Sequence, residues 1–180
     1  MINIIDTYPQ IGSLFENEVF QRANWEVYIK SVYVNSAHVF IDDLNECLDG
    51  GNYTYEKDVL PILSAVHGHS KLETLHSSFC KITEGLNQKV IDCFGHELDI
   101  DIVLYVGLCN GAGWVTNING RDVILLGVEK ILELNWCDIN AMRGLVYHEL
   151  GHVYHKQYGR FHQQSDSSSR NFVWQLFTEG

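Results

Sequence analysis

The residues of this 180-residue chain that most clearly suggest chemistry are His148, Glu149 and His152, in the segment His-Glu-Leu-Gly-His. Two histidines four positions apart lie one above the other on a helix, so both imidazoles can reach one metal ion. Zinc takes imidazole nitrogen as a ligand and lowers the pKa of bound water to about 7. A glutamate next to the first histidine can accept the proton that this water loses. The spacing therefore predicts a zinc site with Glu149 as the general base.

A catalytic zinc keeps one position for water and takes three protein ligands, so the motif needs a third ligand. The downstream candidates are His155, His162, Asp166 and Glu179. The Cα of His155 would lie about 10.5 Å along the helix axis from that of His148, too far for all three histidines to converge. The metzincin pattern is excluded, because its third and sixth places after the second histidine hold His155 and Tyr158 here. Spacing alone leaves three candidates open.

Residues 174–180, with the sequence Trp-Gln-Leu-Phe-Thr-Glu-Gly, end an apolar, aromatic segment downstream of the motif. An H-E-x-x-H helix followed by a second helix with Thr-Glu-Gly resembles the gluzincin metallopeptidases. The resemblance implies a peptide or protein substrate, zinc ligands His148, His152 and Glu179, and Glu149 as the general base. Gluzincins continue the second helix and usually add a domain that supplies a Tyr or His for the oxyanion. We therefore expect a domain that is truncated at its C-terminal end.

The helical first half and the Gly113-Trp114 pair before the motif are also similar to a group of predicted bacterial zinc proteases of unassigned substrate. The gluzincin resemblance implies that the strand before the active-site helix is a sheet edge that pairs with an extended peptide. Gly113 and Trp114 are then the expected substrate-binding residues. A glycine at a sheet bulge and a tryptophan in the core explain the same pair without a substrate.

Two other interpretations of the motif stay open. The chain could be a zinc-binding, non-catalytic or regulatory module derived from a peptidase, or a zinc hydrolase of a non-peptide substrate. A deformylase is not expected, because those enzymes take a Cys ligand from an upstream Glu-Gly-Cys segment that this sequence lacks. His67 and His69 do not converge in helical surroundings, so we interpret them as a polar helix end and not as a second metal site.

The elements that must position these residues follow from the hydrophobic pattern. Residues 12–48 and 55–94 are helix-compatible, with a turn at 49–52 and glycine breaks near 68 and 85. Residues 99–106, 111–117 and 122–126 are predicted strands, and Asn119-Gly120 predicts a tight turn between the last two.

The motif itself falls in a predicted helix over residues 138–158, with Asp138 as N-cap and Gly159 as the C-terminal stop. An apolar stripe on this helix should face the core, opposite the two histidines: Ile139, Met142, Val146, Leu150 and Val153. The apolar, aromatic pattern of residues 171–178 predicts one more helix. The sequence thus predicts one α+β, zincin-like domain over 1–180, with a mostly helical part over 1–97. A small sheet of about three strands, the H-E-x-x-H helix and a following Glu-bearing helix then occupy 98–180.

Composition excludes several classes of partner. The formal charge of −11 repels phosphate backbones and anionic lipid heads, so nucleic acid and membrane partners are not expected. No apolar run approaches the roughly 18 residues of a membrane span, and the start MINIIDTYPQ lacks the basic and apolar regions of a signal peptide, so we do not expect export. Five cysteines without a C-x-x-C pair indicate reduced, buried thiols in a cytoplasmic protein.

Overall fold

A computed structural model describes residues 1–158 of the chain, and within them the architecture is α+β. The helices are α1 (Arg22–Val32), α2 (Ala37–Asp49), α3 (Leu60–Ser64), α4 (Leu72–Thr83), α5 (Leu86–Phe94), α6 (Val128–Glu133) and α7 (Ile139–Tyr158), together with a 3₁₀ helix (Tyr8–Leu14) and a π-helical turn (Tyr55–Val59). The strands are β1 (Ile2–Asp6), β2 (Phe15–Glu16), β3 (Val19–Phe20), β4 (Ile100–Tyr105), β5 (Gly113–Ile118) and β6 (Arg121–Gly127). The α+β class and the small sheet predicted from the sequence are confirmed.

The main sheet has four strands in the order β1-β4-β6-β5. Strands β1, β4 and β6 are parallel, and β5 runs antiparallel to β6 at one edge. The predicted tight turn joins β5 to β6, with Asn119 at φ 53° and Gly120 at φ 84°. Two consecutive positive φ angles are typical of a type I′ turn, which matches the twist of a two-residue hairpin. This turn fixes the register in which Gly113 lies opposite Leu126.

The first half is helical as predicted, and its breaks fall at the expected glycines. Gly68, Gly85 and Gly95 all have positive φ, which a residue without Cβ adopts at no steric cost. The prediction was wrong in two places. The long or broken helix predicted over 12–48 begins only at Arg22, because the β2-β3 hairpin precedes α1, and it is broken between α1 and α2. The sheet also has a fourth strand, since β1 pairs with β4 in register from Ile2 opposite Ile100.

Strand β4 lies at the centre of the core, and all six of its residues are buried. Helices cover both faces of the sheet. This explains why the sequence of β4, which pairs in parallel with both neighbours, is a nearly continuous apolar run. Its one acidic residue, Asp101, accepts hydrogen bonds from Arg121 Nε at 2.6 Å and from the Tyr33 hydroxyl at 2.8 Å. The partners compensate the cost of placing a carboxylate in this layer.

Among the described helices, none is long and apolar enough to cross a membrane. All five cysteines are free thiols, as expected, but the expectation that they are buried was wrong for three of them. Cys137 is buried and Cys109 partly so, whereas Cys47, Cys80 and Cys93 are exposed. These three lie on outward faces of α2, α4 and α5, where helical periodicity puts a residue that the core stripe does not include.

Candidate metal centre

Helix α7 carries the His-Glu-Leu-Gly-His segment, and its start is fixed by the predicted cap. Asp138 Oδ1 accepts hydrogen bonds from the backbone N–H groups of Asn140 at 2.8 Å and Ala141 at 3.1 Å. These bonds satisfy two of the N–H groups that a helix start leaves without intrahelical partners. They also lower the pKa of the Asp138 carboxyl.

The rotation of α7 about its axis is fixed by its apolar stripe. Four residues of the stripe are completely buried: Met142, Val146, Leu150 and Val153. The fifth, Ile139, is partly buried and packs against the core. Burying each of these side chains contributes about 1.5–3 kcal/mol, so a rotation that exposed the stripe would be costly. The opposite face therefore carries His148, which is exposed, and His152, which is half-buried.

The imidazole rings of His148 and His152 face each other. Their Nε2 atoms lie 2.9 Å apart, the ring centroids are 4.5 Å apart, and the ring planes are perpendicular. Zinc bonds of about 2.0–2.1 Å at a tetrahedral angle would place two such nitrogens roughly 3.4 Å apart. A small opening of the pair, about half an ångström, would let both nitrogens bind one ion. The donor set thus fits zinc.

Glu149, by contrast, turns toward the sheet, and its relative exposure to solvent is only 5%. It lies under the first residue of β5: a Cβ atom at position 113 would be 2.7 Å from Glu149 Oε1 and 2.7 Å from Leu145 Cδ1. Real Cβ atoms do not approach other atoms this closely. A side chain at position 113 would therefore displace the ends of the Glu149 and Leu145 side chains, and the structure brings the two predicted site residues Gly113 and Glu149 together.

Strand β5 is an edge strand of the described sheet, because the strand order places only β6 beside it. The Gly127 N–H donates to the Ala112 carbonyl at 3.0 Å, in the register that continues along the hairpin. Since pairing groups alternate along an antiparallel strand, the N–H and C=O groups of Gly113, Val115 and Asn117 point away from β6. The backbone at Gly113 thus faces the open edge while its α-carbon contacts Glu149.

Trp114 lies on the opposite face of β5 from Gly113, as the alternation of a strand requires. Its indole N–H donates to the Tyr105 hydroxyl at 3.0 Å, and its ring meets Phe40 edge-on at 6.0 Å. The side chain of this predicted substrate-binding residue is therefore packed toward α2, away from Glu149. What Trp114 contributes on this geometry is the anchoring of β5 to the core.

The other predicted ligand candidates are His155, half-buried on α7, and residues outside the described part of the chain. Glu179, His162 and Asp166, with the predicted stop at Gly159 and helix at 171–178, all fall beyond residue 158. The described residues therefore include the two predicted histidine ligands and the predicted general base, and the third ligand stays a prediction.

Sequence reasoning missed Glu129, which orders the loop that leads into β5. Its side chain is buried, with Oε2 accepting from the Gly107 N–H at 2.9 Å and Oε1 from the Cys109 N–H at 3.0 Å. Burial raises the pKa of Glu129 to about 7, although the backbone N–H groups of Gly107 and Cys109 act in the opposite direction. A lone acidic residue inside the apolar run Leu-Leu-Gly-Val-Glu-Lys-Ile-Leu was the signal that could have identified it.

Comparison with protein-family models, with curated proteins and with solved structures finds no match to this chain.

Proposed function

We propose that this chain is a zinc-dependent hydrolase of the gluzincin type, with a zincin-like fold, and that it cleaves peptide bonds. One observation carries the proposal: the Nε2 atoms of His148 and His152 lie 2.9 Å apart, on the helix whose intervening Glu149 is buried against the start of an edge strand. Chance placement of two histidines on a solvated helix would not bury the glutamate between them.

His148 and His152 would hold the metal through their Nε2 atoms. Glu179 is the third ligand, a role that rests on the gluzincin resemblance. When bound, zinc would polarise the scissile carbonyl and lower the pKa of a water molecule so that it becomes a nucleophile near neutral pH.

Glu149 would act as the general base and then as the general acid. Its carboxylate would accept a proton from the attacking water as the new C–O bond forms, and would donate that proton to the amide nitrogen as the C–N bond breaks. Burial of the Glu149 side chain beside Gly113 limits its rotamers, which would keep the carboxylate in position for both transfers.

The open edge of β5 would bind the substrate by strand addition. The outward N–H and C=O groups of Gly113 and Val115 supply hydrogen-bond partners for an extended peptide, and the absence of a side chain at 113 leaves room for Glu149. An extended substrate would then run beside the carboxylate. Trp114 would support this strand from its other face through Tyr105.

The chain would act in the cytoplasm on peptides or proteins. Five free thiols fit a reducing compartment, and the acidic composition disfavours nucleic acid as a partner.

The direct test of this mechanism is Glu149→Gln in the full-length chain, assayed on a mixed peptide pool with zinc content measured in parallel. We expect zinc to be retained and peptide cleavage to be abolished. Glu46→Gln, which removes the same charge from an exposed position on α2, is the matched control and should cleave normally. Cleavage by Glu149→Gln at the normal rate would overturn the mechanism. A wild-type chain that binds zinc but cleaves no peptide would support the non-catalytic module or a hydrolase of another substrate.

A further inference from the structure

A second set of metal-ligating side chains lies at the end of β1, remote in sequence from the α7 motif. Asp6, His76 and Cys80 offer one carboxylate oxygen, one imidazole nitrogen and one thiol sulfur, and these atoms all lie within 4.8 Å of one another. His76 and Cys80 are four residues apart on α4, the same spacing that brings His148 and His152 together on α7. We propose that these three side chains form a second binding site for a divalent transition metal such as Zn²⁺.

The oxygen and sulfur donors both lie close to the same nitrogen of His76. His76 Nε2 lies 2.7 Å from Asp6 Oδ2 and 3.5 Å from Cys80 Sγ. In a nucleophilic Cys-His-Asp arrangement, the thiol and the carboxylate lie at opposite ring nitrogens, because the base must accept a proton at one and be oriented at the other. Here both partners face the same nitrogen. His76 and Asp6 form an ion pair without a metal, and the same placement of all three donors on one side of the ring allows them to share one ion.

Neighbouring groups hold the donors in place. The Tyr8 ring stacks on the His76 imidazole at 3.8 Å with an interplanar angle of 2°. The Tyr8 N–H donates to Asp6 Oδ1 at 3.0 Å, which leaves Oδ2 directed at His76. Contacts that orient ligands in this way are a regular feature of metal sites. The side chains of His76 and Asp6 keep 24% and 32% of their exposure, so an ion can reach them from solvent.

The donor types select the metal. Thiolate and imidazole favour zinc and the other late first-row divalent ions over Mg²⁺ and Ca²⁺, which prefer oxygen. Binding forms one bond to each donor, and the protons of the Cys80 thiol and of His76 Nε2 pass to solvent. Three protein ligands leave the fourth tetrahedral position for water, so the ion should exchange readily. It would tie the end of β1 to α4.

Co²⁺ distinguishes this site from the α7 motif, because only a site with a cysteine gives a thiolate-to-metal charge-transfer band in the near ultraviolet. Titrating the full-length protein with Co²⁺ should produce this band, and Zn²⁺ should displace it. Cys80→Ser should abolish the band, and His76→Gln should weaken Co²⁺ binding at this site at least about tenfold. Cys93→Ser, at an exposed cysteine on α5, should leave the band unchanged. Absence of the band in the wild-type protein, or its persistence in Cys80→Ser, would overturn the proposal. Neither result bears on zinc binding by the α7 histidines.

Discussion

Glu149 Oε1 lies where a side chain at position 113 would have to be, 2.7 Å from the site of a Cβ atom on Gly113. This relationship joins the motif helix to the edge strand, since Glu149 is on α7 and Gly113 begins β5. A glutamate that only faced solvent would impose no requirement on the sheet. The pair therefore links the proposed proton-transfer group to the proposed substrate-binding edge.

Gly113→Ala tests this link. The added methyl group would overlap Glu149 and Leu145, so we expect the free energy of unfolding to fall by about 1–3 kcal/mol, as overpacked core positions usually do. The displaced carboxylate should also lower kcat for peptide hydrolysis while zinc stays bound, as measured by urea denaturation, kinetics and metal analysis.

Gly111→Ala is the matched control, because a Cβ atom there would meet its nearest neighbour, the Gly113 carbonyl oxygen, at 3.4 Å. Its stability and kcat should remain close to wild type. If Gly113→Ala changed the free energy of unfolding and kcat as little as Gly111→Ala, the proposed contact with Glu149 would be wrong.

Glu129 should make stability depend on pH. Its pKa is raised by burial from 4.5 to about 7, so between these values the folded state keeps a proton that the unfolded state has lost. The free energy of unfolding should therefore fall as pH rises through this window, by about 3 kcal/mol from this group. Urea denaturation at pH 5 and pH 7.5 measures the change.

Glu129→Gln removes the titration and should reduce this pH dependence. The variant should also be less stable at pH 5, because the amide presents an N–H₂ group to one of the two backbone donors at Gly107 and Cys109. Identical pH dependence in wild type and variant would show that Glu129 does not titrate in this range.

Gly144→Ala should stabilise α7. This glycine lies within the helix on its exposed side, and no atom of the described residues lies within 4 Å of an added Cβ. Because glycine is a poor helix former, the free energy of unfolding should rise by about 0.5–1 kcal/mol in thermal or urea denaturation. Gly120→Ala, at φ 84° in the β5-β6 turn, should be destabilising instead. A loss of stability in Gly144→Ala would indicate a contact at that face.

The elements that sequence predicted well are those fixed by local signals. Asn119-Gly120 specified its turn, Asp138 its cap, and the stripe from Met142 to Val153 the buried side of α7. Strand β1 was missed because its partner, β4, lies almost 100 residues away and a five-residue segment carries little pattern of its own.

In the candidate site, too, features set by local geometry were predicted and features set by tertiary packing were not. The spacing of His148 and His152 predicted the orientation of the two imidazoles, since helix geometry alone sets it. The face on which Trp114 lies, and the role of Glu129, depend on which strands pair and on which helix covers each face. Asp6, His76 and Cys80 come together only because α4 packs beside the end of β1. No local sequence pattern predicts this packing.

Zinc content is the most direct measure of the central claim that the α7 histidines form a metal site. The full-length chain should be prepared with Cys80→Ser, so that the proposed second site does not contribute, and analysed beside the same chain carrying His148→Ala, Glu179→Ala or His38→Ala. We predict one zinc ion per chain, lost with His148→Ala and with Glu179→Ala and retained with His38→Ala, an exposed histidine on α2. Equal zinc content in the His148→Ala and His38→Ala proteins would contradict the account.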